Sequence, residues 1–530
     1  MKKIIFILII LGLLLLSCVP SNTPPSNNET NNLPTQPSNP SPSDGATDVS
    51  LTPSISWEAS DPDGDSLTFD IYFGTESTPT LVKSDLATNT YTPDVLNSFT
   101  TYYWKIVAKD GKSGVVEGPL WNFTTGVIAW QKTLGGSNGD EAYSIQQTSD
   151  GGYIVAGTTY SNNGDVSGNH GGRDFWIVKL DDDGNIKWQK ALGGSNNELA
   201  YSIQQTSDGG YIVAGNTNSN DGDVSGNHGN FDYWVIKLDN SGNIEWQKAL
   251  GGSDYEYARS IQQTNDGGYI VAGTAYSNDG DVTGNNVGNC YWVVKLDSNG
   301  NIEWQKALGG SSGDWADSIQ QTSDGGYIVA GYTYSNDGDV SGNHGERDFW
   351  IVKLDKNGNI EWQKALGGSS GDWAHSIRQT SDGGYIVAGY TYSNDGDVSG
   401  NHGERDFWIV KLDNNGNIVW QKTLGGSQWD EAYSVQQTSD RGYIVAGITW
   451  SNDGDVSGNH GGDDYWVVKL DTNGNIVWQK TLGGSRYETA SSIQQTSDGG
   501  YIVAGYTDSN DGYVSGNHGS RDYWVVKLGK

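Results

Sequence analysis

The sequence predicts an all-β chain, and three observations predict it. A Trp-Gln-Lys triplet recurs at Trp130, Trp188, Trp246, Trp304, Trp362, Trp420 and Trp478, at a fixed interval of 58 residues with no insertion or deletion. Each unit carries four short runs of β type between Gly-rich turns, and no stretch has helical period. The array opens on a lone copy of the fourth run and stops after a copy of the third. Self-similarity at a fixed period marks a repeat architecture, and four antiparallel strands repeated radially build a β-propeller blade. The opening strand is able to complete the last unit, so a seven-bladed ring of four-stranded blades closed by the N-terminal strand is expected. An open solenoid would carry polar capping units at both ends, and the sequence has none.

The second unit shows the elements. Strand A (residues 202–206, SIQQT) and strand B (211–215, YIVAG) flank the tight turn Asp208-Gly209-Gly210. A polar loop over residues 219–229 leads to strand C (233–238, YWVIKL). The turn Ser241-Gly242-Asn243 then leads to strand D (244–250, IEWQKAL). The order DGGYIVAG, then D-x-W-V-V-K-L-D-x-x-G-N-I, then W-Q-K-x-L-G-G-S resembles the bacterial β-propeller repeat family over residues 127–530. That resemblance implies the fold. It implies no activity, because the family has no single one.

Lys+Arg 31 against Asp+Glu 64 gives a formal net charge of −33 over 530 residues. Nucleic acid and anionic lipid heads need a basic surface and are disfavoured as partners. Cations or basic partners are favoured. Cys18 and Cys290 are the two cysteines; with Cys18 in the targeting segment, no structural disulfide is expected. Cys290 stands where the other units carry Asp and reads as an incidental replacement.

Residues 1–17 read as a secretion signal, with Lys2 and Lys3 before an apolar run at 4–16. That run is shorter than the roughly 20 residues of a membrane span. Leu15-Leu16-Ser17-Cys18 resembles the lipobox of bacterial lipoproteins, which implies lipidation of Cys18 and a lipid-anchored place in the cell envelope, at the outer membrane or cell surface. Residues 18–43, almost entirely Pro, Ser, Asn and Thr, are expected to be a disordered tether. Residues 44–126 alternate apolar and polar positions around Trp57 and the Tyr-x-Trp-x-Ile-x-Ala run at 102–108, similar to a fibronectin type III domain. There Asp61-Pro62-Asp63-Gly64-Asp65 reads as an Asp/Gly turn, with calcium ligation the alternative.

Within the propeller, the B–C loops and D–A corners are expected on one face, with the short A–B and C–D turns on the other. Asp221-Gly-Asp223-Val-Ser225-Gly226 with Asp232 at the twelfth place matches the oxygen spacing of EF-hand-like Ca²⁺ loops. The set recurs as Asp337, Asp339, Ser341, Asp348; as Asp395, Asp397, Ser399, Asp406; and as Asp453, Asp455, Ser457, Asp464. The twelfth ligand is Asp rather than bidentate Glu, and no helices flank the loop, so a duplicated polar loop is the competing reading. No cofactor is required; Ca²⁺ is the one considered. The loop histidines (170, 228, 344, 402, 460, 518) lie on separate blades and should not converge on one metal.

The D–A corner is where the units differ most. Tyr255, Trp315, Trp373, Trp429 and Tyr487 fall in or beside it, and just downstream the series reads Tyr143, Tyr201, Arg259, Asp317, His375, Tyr433, Ser491. Clustered aromatics and acids at a propeller mouth suit sugar or protein contact. The acid in every unit (Asp140, Glu198, Glu256, Asp314, Asp372, Asp430, Glu488) reads as a structural acceptor. No HExxH, P-loop or GxSxG motif appears. A surface-anchored, non-catalytic binding or adhesion module for glycan or protein is therefore expected. A carbohydrate-active lyase or hydrolase with its site in the funnel is the alternative, and a passive envelope component the third.

Overall fold

The structure, a computed structural model, describes residues 31–285 and 288–530; the expected signal segment and Cys18 lie outside the described residues. All described regular structure is β. The chain divides into two compact units, one of residues 31–45, 54–91 and 102–123, the other of residues 46–53, 92–101 and 124–530.

In the first unit Ser38–Ser41 pairs with Ile55–Glu58, which pairs with Thr90–Tyr91. A second sheet includes, in order, Trp121–Thr125, Thr101–Lys109, Thr68–Gly74 and Thr80–Leu86. The strict alternation of Thr101–Lys109 places Tyr102, Trp104, Ile106 and Ala108 inward, where they are buried with Trp57 and Phe123. One expectation is corrected here: residues 31–43 are not tether. Ser38–Ser41 is an edge strand, Thr35 N–H donates to Ser60 O at 2.8 Å, and Pro34 and Pro37 are buried. Proline suits an edge, which needs fewer backbone donors; a composition that reads as unstructured can still pack.

The second unit repeats four-stranded antiparallel sheets, the architecture of a multi-bladed propeller. In the first full repeat strand A (Asp140–Gln147) pairs with B (Tyr153–Thr159), B with C (Asp174–Leu180) and C with D (Ile186–Leu192). Among the described residues, seven sheets have this form. The opening strand, Ile128–Leu134, lies antiparallel to the last, Asp522–Leu528, as the fourth member of their sheet.

Strands B and C are buried at every position of the first repeat. A strand covered on both faces needs a continuous apolar run, which is why YIVAG and YWVIKL do not alternate. Between sheets, an aromatic at the second position of C meets the Trp of C in the adjoining repeat. Phe175–Trp234 and five equivalents, with Tyr523–Trp176, lie at 4.4–4.6 Å between ring centroids. Each of these indoles donates Nε1–H to a strand-D glutamine at 2.6–3.0 Å. The Trp-Gln-Lys signature is thus partly a core hydrogen bond.

The TSDGG and KL segments are also one device. Asp208 accepts from Thr206 Oγ1 and Gly210 N–H, and its other oxygen meets buried Lys237 at 2.9 Å. Burial works against the Asp208 carboxylate, but these bonds outweigh it and hold its pKa at about 2.

Candidate functional site

The inner strand carries the site, and a repeated irregularity creates it. In all seven repeats the A–B register slips by one residue, between Ala142 and Ser144 in the first. The extra residue is Tyr143, Tyr201, Arg259, Asp317, His375, Tyr433 or Ser491. A β-bulge re-aims the side chain it carries. The glycine closing YIVAG permits the bulge: a Cβ on Gly157 would collide with Glu141 O, and one on Gly389 with Trp373 O.

The bulge side chains touch their neighbours in turn. Tyr143 and Tyr201 lie 5.1 Å apart, Arg259 sits 4.2 Å over Tyr201, and Arg259 Nε is 3.9 Å from Asp317. Asp317 Oδ2 accepts from Trp373 Nε1 at 2.5 Å and lies 3.2 Å from His375 Nδ1, while His375 is 5.0 Å from Tyr433. Six of the sequence-predicted residues, with Trp373, therefore form one chain of contacts, interrupted at Ser491. His375 Nε2 is buried without a hydrogen-bond partner.

Electrostatics follow from crowding. Burial, with Glu141 beside it, pushes the Tyr143 hydroxyl well above its usual pKa, and burial with Glu431 does the same to Tyr433. Burial opposes charge on Arg259, yet Tyr201 and Asp317 hold it above its ordinary value.

The other predicted aromatics are not in this line of bulge contacts, but Trp315 reaches it through Tyr332, whose ring lies 4.2 Å from Trp373. Trp315 stacks on Tyr332 at 4.8 Å. Tyr255 packs 6.1 Å from Tyr257. Trp429 stacks on Trp450 at 5.0 Å, and Tyr487 lies 6.3 Å from Trp450. Trp450 and Tyr487 are 37% and 48% exposed, so this pair leaves ring surface open to a ligand.

The residue before strand C had not been singled out in the sequence, and it matters. The series Arg173, Phe231, Asn289, Arg347, Arg405, Asp463, Arg521 tracks the second residue of the next strand A. Arg405 pairs with Glu431, Arg521 with Glu141 at 2.6 Å, and Arg347 lies 5.0 Å over Trp373. Phe231 lies 5.7 Å from Tyr257. Matching the two columns across the seven copies would have revealed it. Asp463 is the exception: burial first, then Glu431, push its carboxyl up to about 7.

The loop groups expected to ligate Ca²⁺ do not converge. Asp221, Asp337, Asp395 and Asp453 accept the N–H of Ser195, Ser311, Ser369 and Ser427 at 2.6–2.8 Å. Asp223, Asp339, Asp397 and Asp455 accept from Gly193, Gly309, Gly367 and Gly425 at 3.2–3.4 Å. Ser225, Ser341, Ser399 and Ser457 accept from strand-D glutamines at 2.5–2.6 Å. Asp232, Asp348, Asp406 and Asp464 meet the Nδ1 of His228, His344, His402 and His460 at 2.6–2.7 Å. With no flanking helices to wrap it around an ion, the loop is drawn out along the D–A corner and clasps it. This also gives the histidines their place: each imidazole buttresses one buried aspartate. Asp61, Asp63 and Asp65 do approach within 4.8 Å, but Asn32 bonds to Asp63 and Lys112 to Asp65.

The acid of each strand A is fully buried and accepts a Gly N–H of the Gly-Gly corner at 2.8–2.9 Å. It is a structural acceptor, as its presence in every unit implied. Cys290 is buried, and burial pushes its thiol up to about 12, which suppresses the reactive thiolate.

No protein-family model matches this chain, and no curated protein matches it. Solved structures similar in fold include the WD40 domain of Neurospora crassa Pan2, at 12% identity and TM-score 0.41 over 75% of this chain and 95% of that one. The exotype rhamnogalacturonan lyase YesX is similar at 13% identity and TM-score 0.37, over 92% and 91%. A Bacillus licheniformis rhamnogalacturonan lyase is similar at 12% and 0.27, over 94% and 91%. Likeness at this level does not bear on what the chain does.

Proposed function

We propose that the chain is a surface-anchored lipoprotein whose seven-bladed propeller is a non-catalytic binding module for a glycan or protein. In this reading Cys18 carries the lipid, a short tether and a fibronectin type III-like domain follow, and the propeller is a ring. Pairing of Ile128–Leu134 with Asp522–Leu528 supports the closed ring, as does the bond from Ile145 N–H to Ser492 Oγ, which links the first and last repeats.

The observation that carries the binding reading is the bulge series. Repeats that are otherwise near copies place different side chains, mostly aromatic or charged, at one position that the backbone turns aside, and these side chains touch one another. Structural need does not explain the variety, because Ser491 occupies the same position. The test is glycan-array and protein pull-down binding by the full chain, compared with His375→Ala and Tyr201→Ala. Loss of a wild-type ligand with no product released supports binding; turnover abolished by either change overturns the non-catalytic reading.

A carbohydrate-active enzyme is the second reading, and Asp463 favours it. A carboxyl that burial, with Glu431 nearby, pushes up to about 7 would hold a proton to give a leaving group near neutral pH. Polysaccharide cleavage that is lost in Asp463→Asn would establish it.

A further inference from the structure

The inner strands enclose an axial cavity of about 200 Å³ lined by residues from all seven repeats. Two rings of hydrogen bonds set its wall. Seven serines, Ser144 through Ser492, each accept a backbone N–H from the neighbouring strand A at 3.2–3.3 Å. Two residues further on, six glutamines accept a second N–H through Oε1 at 2.6–2.7 Å.

These bonds decide which groups remain for a guest. A glutamine whose Oε1 is taken has its amide orientation fixed, and its NH₂ is left to donate. A serine oxygen used as an acceptor likewise keeps its O–H as a donor. The wall is thus rich in donors, with its side-chain acceptors largely occupied.

The seventh glutamine position is Arg378. Its Nη1 donates to Ser318 Oγ at 3.2 Å and to Ile377 O at 2.8 Å, which leaves the rest of its five-donor fork free of protein acceptors. No carboxylate is among the described residues lining the cavity. Burial alone, with no opposing charge, pulls the Arg378 pKa down. Arg259, the bulge residue of the third repeat's strand A, differs in having Asp317 at 3.9 Å. In a chain of net charge −33, a half-buried guanidinium without a carboxylate partner stands out.

We propose that the axial cavity binds one small oxyanion, a carboxylate, sulfate or phosphate group, through Arg378 and the surrounding serine and glutamine donors. The volume suits a single such group: ligand pockets for whole small molecules run to roughly 300–1,000 Å³. Planar guanidinium and oxyanion geometry match in two-point contact. The site stands whether or not the mouth engages a larger ligand.

Calorimetric titration of the full chain with sodium sulfate, inorganic phosphate and sodium acetate, at ionic strength held constant with chloride, tests this. Saturable one-site binding of at least one probe is expected. Preference for acetate would mark the carboxylate of an organic ligand as the natural guest; preference for sulfate or phosphate, an inorganic ion. Arg378→Gln installs the residue of the other six repeats and gives Gln437 N–H the acceptor it lacks. It should weaken binding by about tenfold or more while melting no lower than wild type. Arg378→Lys, which keeps the charge without the fork, should fall between the two. Binding unchanged in Arg378→Gln, or no saturable binding of any of the three probes to wild type, would overturn the proposal.

Discussion

The two ends of strand A behave differently. Beyond the bulge the strand is nearly invariant among the repeats; at the bulge it is not. Below, Ser144 and its equivalents accept an N–H from the next repeat, and Gln205 Oε1 and its equivalents accept the N–H of Ser149 and its counterparts at 2.8–2.9 Å. Replacing any of these leaves a donor unmatched in the neighbouring repeat, so the cost falls across a junction. At the bulge, Tyr143, Arg259, Asp317 and Ser491 occupy one backbone position, because the side chain there is excluded from the ladder. Sameness marks a residue whose side chain a neighbour's backbone depends on, and variety marks one whose side chain leaves the ladder.

The strongest way to break this contrast is to remove the bulge's permission. Gly389→Ala places a Cβ against Trp373 O and should destabilise by about 3 kcal/mol or more, read by thermal or denaturant unfolding; a small effect would mean the bulge is soft. Next comes pH. Burial raises the carboxyls of Asp140, Asp314, Asp372 and Asp430 from 3.8 to about 6. The folded chain then holds protons that the unfolded chain releases, so stability falls as pH rises between those values. Asp208, Asp324, Asp382 and Asp440, held at about 2, act the other way, and their contribution is lost as pH falls below 3.8. Melting should therefore occur several degrees higher near pH 5 than at pH 8 and decline steeply below about pH 3.5. A calorimetric series that rises steadily to pH 8 would contradict this.

Smaller changes sharpen the comparison. Ser318→Ala leaves Ile377 N–H without its acceptor and should cost about 1–2 kcal/mol in chemical denaturation. Arg441 holds a φ of 69° where the other repeats have glycine, such as Gly383 at 86°. Arg441→Gly should therefore stabilise by about 1 kcal/mol. Tyr143→Ser copies the seventh repeat into the first and should change stability by about 1 kcal/mol or less, while altering any ligand bound at the mouth.

A lone replacement supports the same rule. The third repeat lacks both members of the His–Asp clasp: Cys290 stands for the aspartate and Asn286 for the histidine. Where Asp464 is present it is fully buried, His460 holds it, and burial still lifts its carboxyl to about 6. An aspartate buried there without its imidazole would cost more, and the two residues are absent together.

Much of the propeller unit was legible in the sequence. The 58-residue period, the four β runs, the continuous apolar runs of B and C and the divided repeat follow from alternation and turn chemistry, which are local. The corner and bulge residues were visible as differences among near-identical copies. The spacing of the loop aspartates was legible too, but what it signified was not. One-dimensional spacing matched a calcium loop, and only folding showed Asp221, Asp223, Ser225 and Asp232 bonded to four different partners. The sequence by itself determined which strands form and how often, because those depend on neighbours in the chain. Tertiary structure alone decided that residues 58 or 59 apart share hydrogen bonds, that a one-residue slip brings six bulge side chains into contact with one another, and that Arg378 faces a cavity without a carboxylate. Contacts across a junction depend on register and curvature, which no single repeat encodes.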